Sequence, residues 1–163
     1  YPGAAPEVVE REVVDPIEDV ISGISGVEQI NSSALDSFAA LIVEFTYDYY
    51  VGHESFVRLV VAENQAKGRH MKRFPSLRTV NRPIVDMLGA VIARGQAEGE
   101  FRPDVDPIDV HMAIAALGMF NVTNQYTFGT LFQREMGSKG DVPGRRRMVA
   151  EMVLRWLEPE SDS

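Results

Sequence analysis

Apolar residues recur at helical spacing along most of this chain. Val9, Val13, Ile17 and Ile21, flanked by Val20 and Ile24, form a first stripe with the repeat of an amphipathic helix. Pro6 followed by Glu7 suits its first turn. Pro16 kinks this helix without ending it, because the stripe continues, and Gly23 and Gly26 close it. Residues 27–33 read as a short strand ending in a turn at Asn31, Ser32 and Ser33. The next stretch, residues 35–50, is ambiguous. Leu35, Phe38, Ile42, Phe45 and Tyr49 are spaced three and four apart, as in a helix, whereas residues 40–47 are rich in the β-branched and aromatic types of a strand. Periodicity leaves both open.

After Gly52 every apolar pattern is helical. A helix from His53 to Lys67 carries Phe56, Leu59, Val60 and Asn64 on one side and stops at Gly68. A basic connection containing Pro75 leads to a helix from about Ser76 to Glu98, with Leu77, Val80, Ile84, Leu88 and Val91, closed near Gly99. Asp106 followed by Pro107 is an N-cap and first-position pair for a helix reaching about residue 126. Residues 112–120 of that helix have no polar side chain, which predicts cover on every side. Residues 126–141, with Gly129, Gly137 and Gly140, read as a loop or broken helix. Pro143 starts a last helix whose rows Met148, Met152, Trp156 and Val149, Val153, Leu157 make one broad apolar face. The fold class is therefore mainly α, a helical bundle with a small α/β appendage at its N-terminus.

Composition sharpens that picture. There is no cysteine, which excludes disulfides, zinc ribbons, iron-sulfur sites and thiol nucleophiles. Neither residues 38–43 nor the longer run without a polar side chain, residues 112–120, approaches the ~18 residues of a membrane span. With no charged, apolar leader after Tyr1, the expectation is a cytoplasmic protein without membrane contact. Charge is uneven. Glu7, Glu10, Glu12, Asp15, Glu18, Asp19, Glu28, Asp36, Glu44 and Asp48 face a single base, Arg11, in residues 1–48, while the remainder is nearly balanced. That break divides the chain into an acidic segment, 1–48, and a helical domain, 49–163.

Two resemblances follow that division. The runs Tyr49-Tyr50-Val51-Gly52-His53-Glu54-Ser55-Phe56, Ala62-Glu63-Asn64-Gln65-Ala66-Lys67-Gly68, Asn81-Arg82-Pro83-Ile84, Arg94-Gly95-Gln96-Ala97-Glu98-Gly99-Glu100-Phe101-Arg102-Pro103, Asp106-Pro107 and Asn124-Gln125-Tyr126-Thr127-Phe128 resemble the C-terminal domain of tetracycline-repressor (TetR) family regulators. The resemblance implies a homodimeric, non-enzymatic domain that binds a small hydrophobic effector. Tyr1-Pro2-Gly3-Ala4, Glu7-Val8-Val9-Glu10-Arg11-Glu12-Val13, Pro16-Ile17-Glu18, Gly26-Val27 and Val43-Glu44-Phe45 resemble the first porter subdomain of resistance, nodulation and division (RND) efflux transporters. The two families do not ordinarily share a chain, so the sequence reads as a chimera, and a transporter fragment is the alternative reading. A TetR-like regulator has a helix-turn-helix where residues 1–48 stand. Arg11 alone cannot supply phosphate contacts, which predicts no direct DNA binding by this chain.

Polar residues on otherwise apolar helices mark the candidate site. Glu63 and Asn64 on one helix, and Asn124 and Tyr126 at the end of another, must be hydrogen-bonded to protein, water or ligand. With Phe56, Met119, Phe120 and Phe128 they would make the mostly apolar lining, with few polar groups, of a small-molecule pocket. The same residues read equally as satisfied core. Met148, Met152, Val153 and Trp156 are the candidate dimer interface. His53, His70 and His111 have no partner at metal-ligand spacing, no phosphate loop or nucleophile elbow is visible, and no cofactor is expected. The basic stretch Arg58, Lys67, Arg69, Lys72, Arg73, Arg78 and Arg82 reads as a solvated connection.

Overall fold

The structure, a computed structural model, describes residues 32–74, 82–137 and 140–160. The first expected helix, residues 27–31 of the expected strand and the start of the helix expected from Ser76 lie outside the described residues, whereas Ser32 and Ser33, expected in a turn, are helical. Among the described residues six α-helices follow one another, α1 Ser32–Gly52, α2 Glu54–Gln65, α3 Arg82–Glu98, α4 Pro107–Thr123, α5 Gln125–Phe132 and α6 Val142–Leu157, with a 3-10 turn at Met71–Arg73. No strand occurs among the described residues, and the fold is mainly α as expected.

The ambiguous stretch is helix throughout. In α1 the residues Ile42, Val43 and Tyr47 are fully buried, and α1 packs on both α4 and α6. Burial of one face outweighs the weak strand preference of the β-branched residues. Thr46, buried among them, donates its hydroxyl to Ile42 O at 2.8 Å, which satisfies the polar group inside the helix. The seam expected at residue 48 falls inside α1.

The central helix is α4, which touches every other helix. Its start follows the sequence expectation, since Asp106 Oδ1 accepts from Ile108 N at 2.7 Å and Pro107 opens the first turn. It ends at Thr123, earlier than expected, because Asn124 leaves helical geometry. A separate helix, α5, then occupies part of the tract read as loop or broken helix. Gly118 lets α1 approach closely, since a Cβ there would lie 2.8 Å from the Tyr50 ring. The main core combines Ile42, Tyr47, Leu88, Val91, Ile114, Val149, Val153 and Leu157 from α1, α3, α4 and α6. A smaller cluster joins Tyr50, Val57 and Val122, flanked by Tyr49, Phe56 and Met119.

Full cover of residues 112–120 is not what the fold provides. Met112 is 61% exposed and Phe120 41% exposed. On α6 the two apolar rows part company. Val149, Val153 and Leu157 enter the core, while Met148, Met152 and Trp156 stay on the surface. One helix face cannot reach a single small bundle with both rows, so the second row is left to solvent.

Candidate functional site

The second cluster forms the base of the candidate site. Gly52 and His53 break α1 from α2, and the His53 ring stacks on Tyr49 with centroids 4.2 Å apart while its Nδ1–H donates to Tyr49 O at 2.8 Å. This turn sets α2 against α4, so that Val57, fully buried, meets Val122. Above them lies an open cleft of about 290 Å³ lined by Glu54, Val57, Arg58, Val61, Ala62, Gln65, Val122, Thr123 and Tyr126. A second, more polar cleft of about 470 Å³ adjoins it and is lined by Glu54, Gln125, Tyr126, Thr130 and Arg134 among others. Glu54 and Tyr126 belong to both.

A polar clasp joins α2 to α5 where the clefts meet. Glu54 Oε1 accepts from Arg58 Nη2 at 2.7 Å, from Arg58 Nε at 3.1 Å and from Gln125 Nε2 at 3.1 Å. Arg58 Nη2 also donates to the Tyr126 hydroxyl at 3.3 Å. The hydrogen bond to Glu54, followed by its charge, raises the Arg58 pKa further. Donors and acceptors thus sit at the rim of an apolar floor, the distribution of a small-molecule site. Nothing in this arrangement is a nucleophile with a base. Among the described residues no group of His, Asp and Glu could hold a metal ion.

The profile described as tetracyclin repressor-like, C-terminal domain, matches residues 35–153. The chain belongs to that family. A relative, the HTH-type transcriptional repressor NicS of Pseudomonas putida, is 30% identical over 116 residues, which are 71% of this chain and 55% of that protein. The chain therefore spans about half the length of the curated relative it matches. A second profile, the AcrB/AcrD/AcrF family, matches residues 1–55. Both parts of the two-part resemblance are thus met, and the two matches overlap along α1. Among the described residues no helix is long and apolar enough to cross a membrane.

Within this tetracyclin repressor-like domain the residues singled out by sequence are dispersed. Tyr126 lines both clefts, and Phe56 and Met119 pack in the cluster beneath. Phe120 and Phe128 meet edge-on at 5.3 Å on the surface, and Phe128 continues to Phe132. Asn124 donates to the Thr123 hydroxyl at 2.7 Å and forms the bend between α4 and α5. Asn64 is exposed and donates back to Val60 O. Glu63 is buried, yet it lines neither cleft. Its Oε1 accepts from His70 N at 2.7 Å and Met71 N at 2.9 Å, and its Oε2 accepts from the His70 ring at 2.9 Å.

Glu63 therefore staples the connection after α2. The Met71 N–H first, and then His70, hold its carboxyl below the usual range. A lowered folded pKa contributes stability that is present above the unfolded value and is lost as pH falls through the folded one. Protection of the His70 and Met71 amides, taken relative to their intrinsic exchange rates, should accordingly fall as pH drops below the ordinary glutamate value of about 4.3. In Glu63→Gln those amides should exchange faster at neutral pH, and that acid-dependent step should disappear. Hydrogen exchange by mass spectrometry checks both, and an unchanged acid step would remove Glu63 as its cause.

Glu54, Arg58 and Gln125 are not among the pocket residues expected from sequence, where Arg58 counts only within the basic stretch. Glu54 and Arg58 are spaced as an ordinary solvated helix pair, and only the bend at Asn124 brings Gln125 and Tyr126 to them. Elsewhere, buried Arg145 donates to Asn121 Oδ1 at 2.7 Å and to Glu135 O at 2.9 Å, tying α6 to α4 and to the loop before it.

Proposed function

We propose that the chain is the small-molecule-sensing, dimerising part of a cytoplasmic transcriptional regulator, and that it performs no catalysis. The cleft between α2 and the α4–α5 bend carries this reading, because it combines an apolar floor with a rim of hydrogen-bonding groups on a family-matched domain. Its ligand is a small, largely apolar molecule. Of the residues expected to line a pocket, Tyr126 contacts this ligand directly, and Phe56 and Met119 support the floor. A ligand seated there separates Arg58 from Tyr126, and α5 moves relative to α2. Met148, Met152 and Trp156, with Ile108 and Met112, form the homodimer face; Val153 supports it from the core. Residues 1–48, with Arg11 alone against ten acidic residues, are not the DNA-contacting part. A transporter fragment is supported only by the match over residues 1–55, and the bundle beyond it belongs to the repressor family.

A thermal-shift screen of small apolar compounds bearing one or two polar groups tests the sensor. A ligand at 100 times its Kd stabilises the fold by about 2.7 kcal/mol, which for this size raises Tm by roughly 5–10 °C. Arg58→Ala and Tyr126→Phe should each shrink that shift while leaving the unliganded Tm within about 2 °C, since both side chains are exposed. Hits whose shift is indifferent to both variants would place the ligand elsewhere.

A further inference from the structure

We propose that the loop of residues 67–73 is a docking surface for the chain's own acidic segment, residues 7–19. Lys67 and Gly68 both adopt the left-handed conformation that ends α2, with φ of 57° and 70°. Gly68 N then donates to Glu63 O at 2.9 Å and Lys67 N to Asn64 O at 3.0 Å, the pairing of a helix C-terminal cap. A single 3-10 turn follows, and the Glu63 carboxylate anchors its first two amides from inside. The loop is thus a defined shape with an acidic anchor already used up. Lys67, Arg69, Lys72 and Arg73 all stand exposed on it. Among the described residues none of the four is ion-paired with an acidic side chain, and Lys72 Nζ reaches only the Lys67 carbonyl, at 3.3 Å. Met71 and Phe74, about half exposed, lie beside them.

Such a surface fits a partner that interleaves acids with apolar residues. Residues 7–19 have that chemistry. Glu7, Glu10, Glu12, Asp15, Glu18 and Asp19 alternate with Val9, Val13 and Ile17, and Arg11 is the only base. Even with the helix kept as far as Gly23, the connection from Asp19 to Ser32 can extend to about 36 Å, more than the ~31 Å length of α1. A nucleic acid is the weaker occupant. The chain carries a net charge of −8, which repels a polyanion, and the rings at hand for stacking on bases are only His70, already held by Glu63, and the adjoining Phe74.

Zero-length carbodiimide cross-linking of the full chain tests the contact, because it joins a lysine amine only to a carboxylate in direct contact. The sequence has three lysines, Lys67, Lys72 and Lys139, so Lys139 serves as the internal reference. The expected result is a several-fold excess of links from Lys67 and Lys72 to residues 7–19, falling toward the Lys139 level in about 1 M salt. The double variant Arg69→Gln, Arg73→Gln keeps both lysines and should lower that excess at low salt without changing Tm. A mixture of normal and nitrogen-15 labelled chains should give links within one copy. Links no more abundant than at Lys139, or links joining two copies, overturn the proposal. So does a 20-base-pair duplex whose salt-sensitive binding the double variant abolishes, which would assign the loop to nucleic acid.

Discussion

Replacing Met152 and Trp156 together by aspartate is expected to convert a dimer into a monomer, halving the mass measured by light scattering. Both side chains lie on the outer row of α6, 51% and 37% exposed in the isolated chain, one helical turn apart. In a paired four-helix interface they would be central and desolvated. Truncating two such anchors costs at least about 2 kcal/mol each, raising Kd roughly a thousandfold, and a carboxylate trapped in each place adds its own desolvation. The monomer itself should stay folded, with Tm changed by only a few degrees, because neither side chain belongs to its core. Val153→Asp is the contrasting control. That residue is 2% exposed and sits among Val149 and Leu157, so the same charge one position along should unfold the protein. A wild-type chain that is monomeric at micromolar concentration would falsify the interface.

The contrast between those two α6 rows shows what the sequence carries and what it omits. Spacing identifies Met148, Met152, Trp156 and Val149, Val153, Leu157 as one broad apolar face. It does not say which row faces the chain's own core and which is left for another surface, because that depends on where α1 and α3 lie. The same limit explains α4. A helix with no polar residue over 112–120 must be covered, but the cover for Met112 and Phe120 is not within this chain's described residues. Some local signals, by contrast, are legible. The Asp106 cap, Pro107 at the first position and the Gly99 stop are set by backbone chemistry within a few residues, and the structure has them as read.

Residues 35–50 were undecidable for a related reason. Helical spacing and strand propensity are both local properties, and they disagree there. The decision comes from tertiary burial of Ile42, Val43 and Tyr47 against α4 and α6. At the site, the sequence correctly marks Glu63 as a polar group that needs partners on an apolar helix. It cannot distinguish a ligand from the amides of His70 and Met71, which supply those partners. The Glu54 clasp was hidden differently. Its two halves are about 70 residues apart, at separations of 68 and 71, and the bend at Asn124 that joins them has no strong local signature.

Two glycines in α3 should respond in opposite directions to the same substitution. Alanine is favoured over glycine in a helix interior by about 1 kcal/mol, so an unobstructed site gains stability. At Gly89 a Cβ would meet Pro107 Cγ at 3.5 Å, ordinary contact, and Gly89→Ala should raise Tm by roughly 2–4 °C. At Gly95 the added Cβ would overlap the Phe101 ring, lying 2.6 Å from Cγ and 2.7 Å from Cε2. That ring cannot swing away, because Phe101 is buried within the main core and its backbone is tied by its N–H to Gly95 O at 3.1 Å. Overpacking of this kind costs up to about 3 kcal/mol, which exceeds the helical gain and leaves a net loss near 2 kcal/mol. Gly95→Ala should therefore lower Tm by about 4–8 °C. The loss should be partly recovered when Phe101→Leu is added, since two residues in contact do not act additively. If Gly95→Ala melts at or above the wild-type temperature, or if Phe101→Leu deepens the loss in full, the ring is not what reserves this position for glycine.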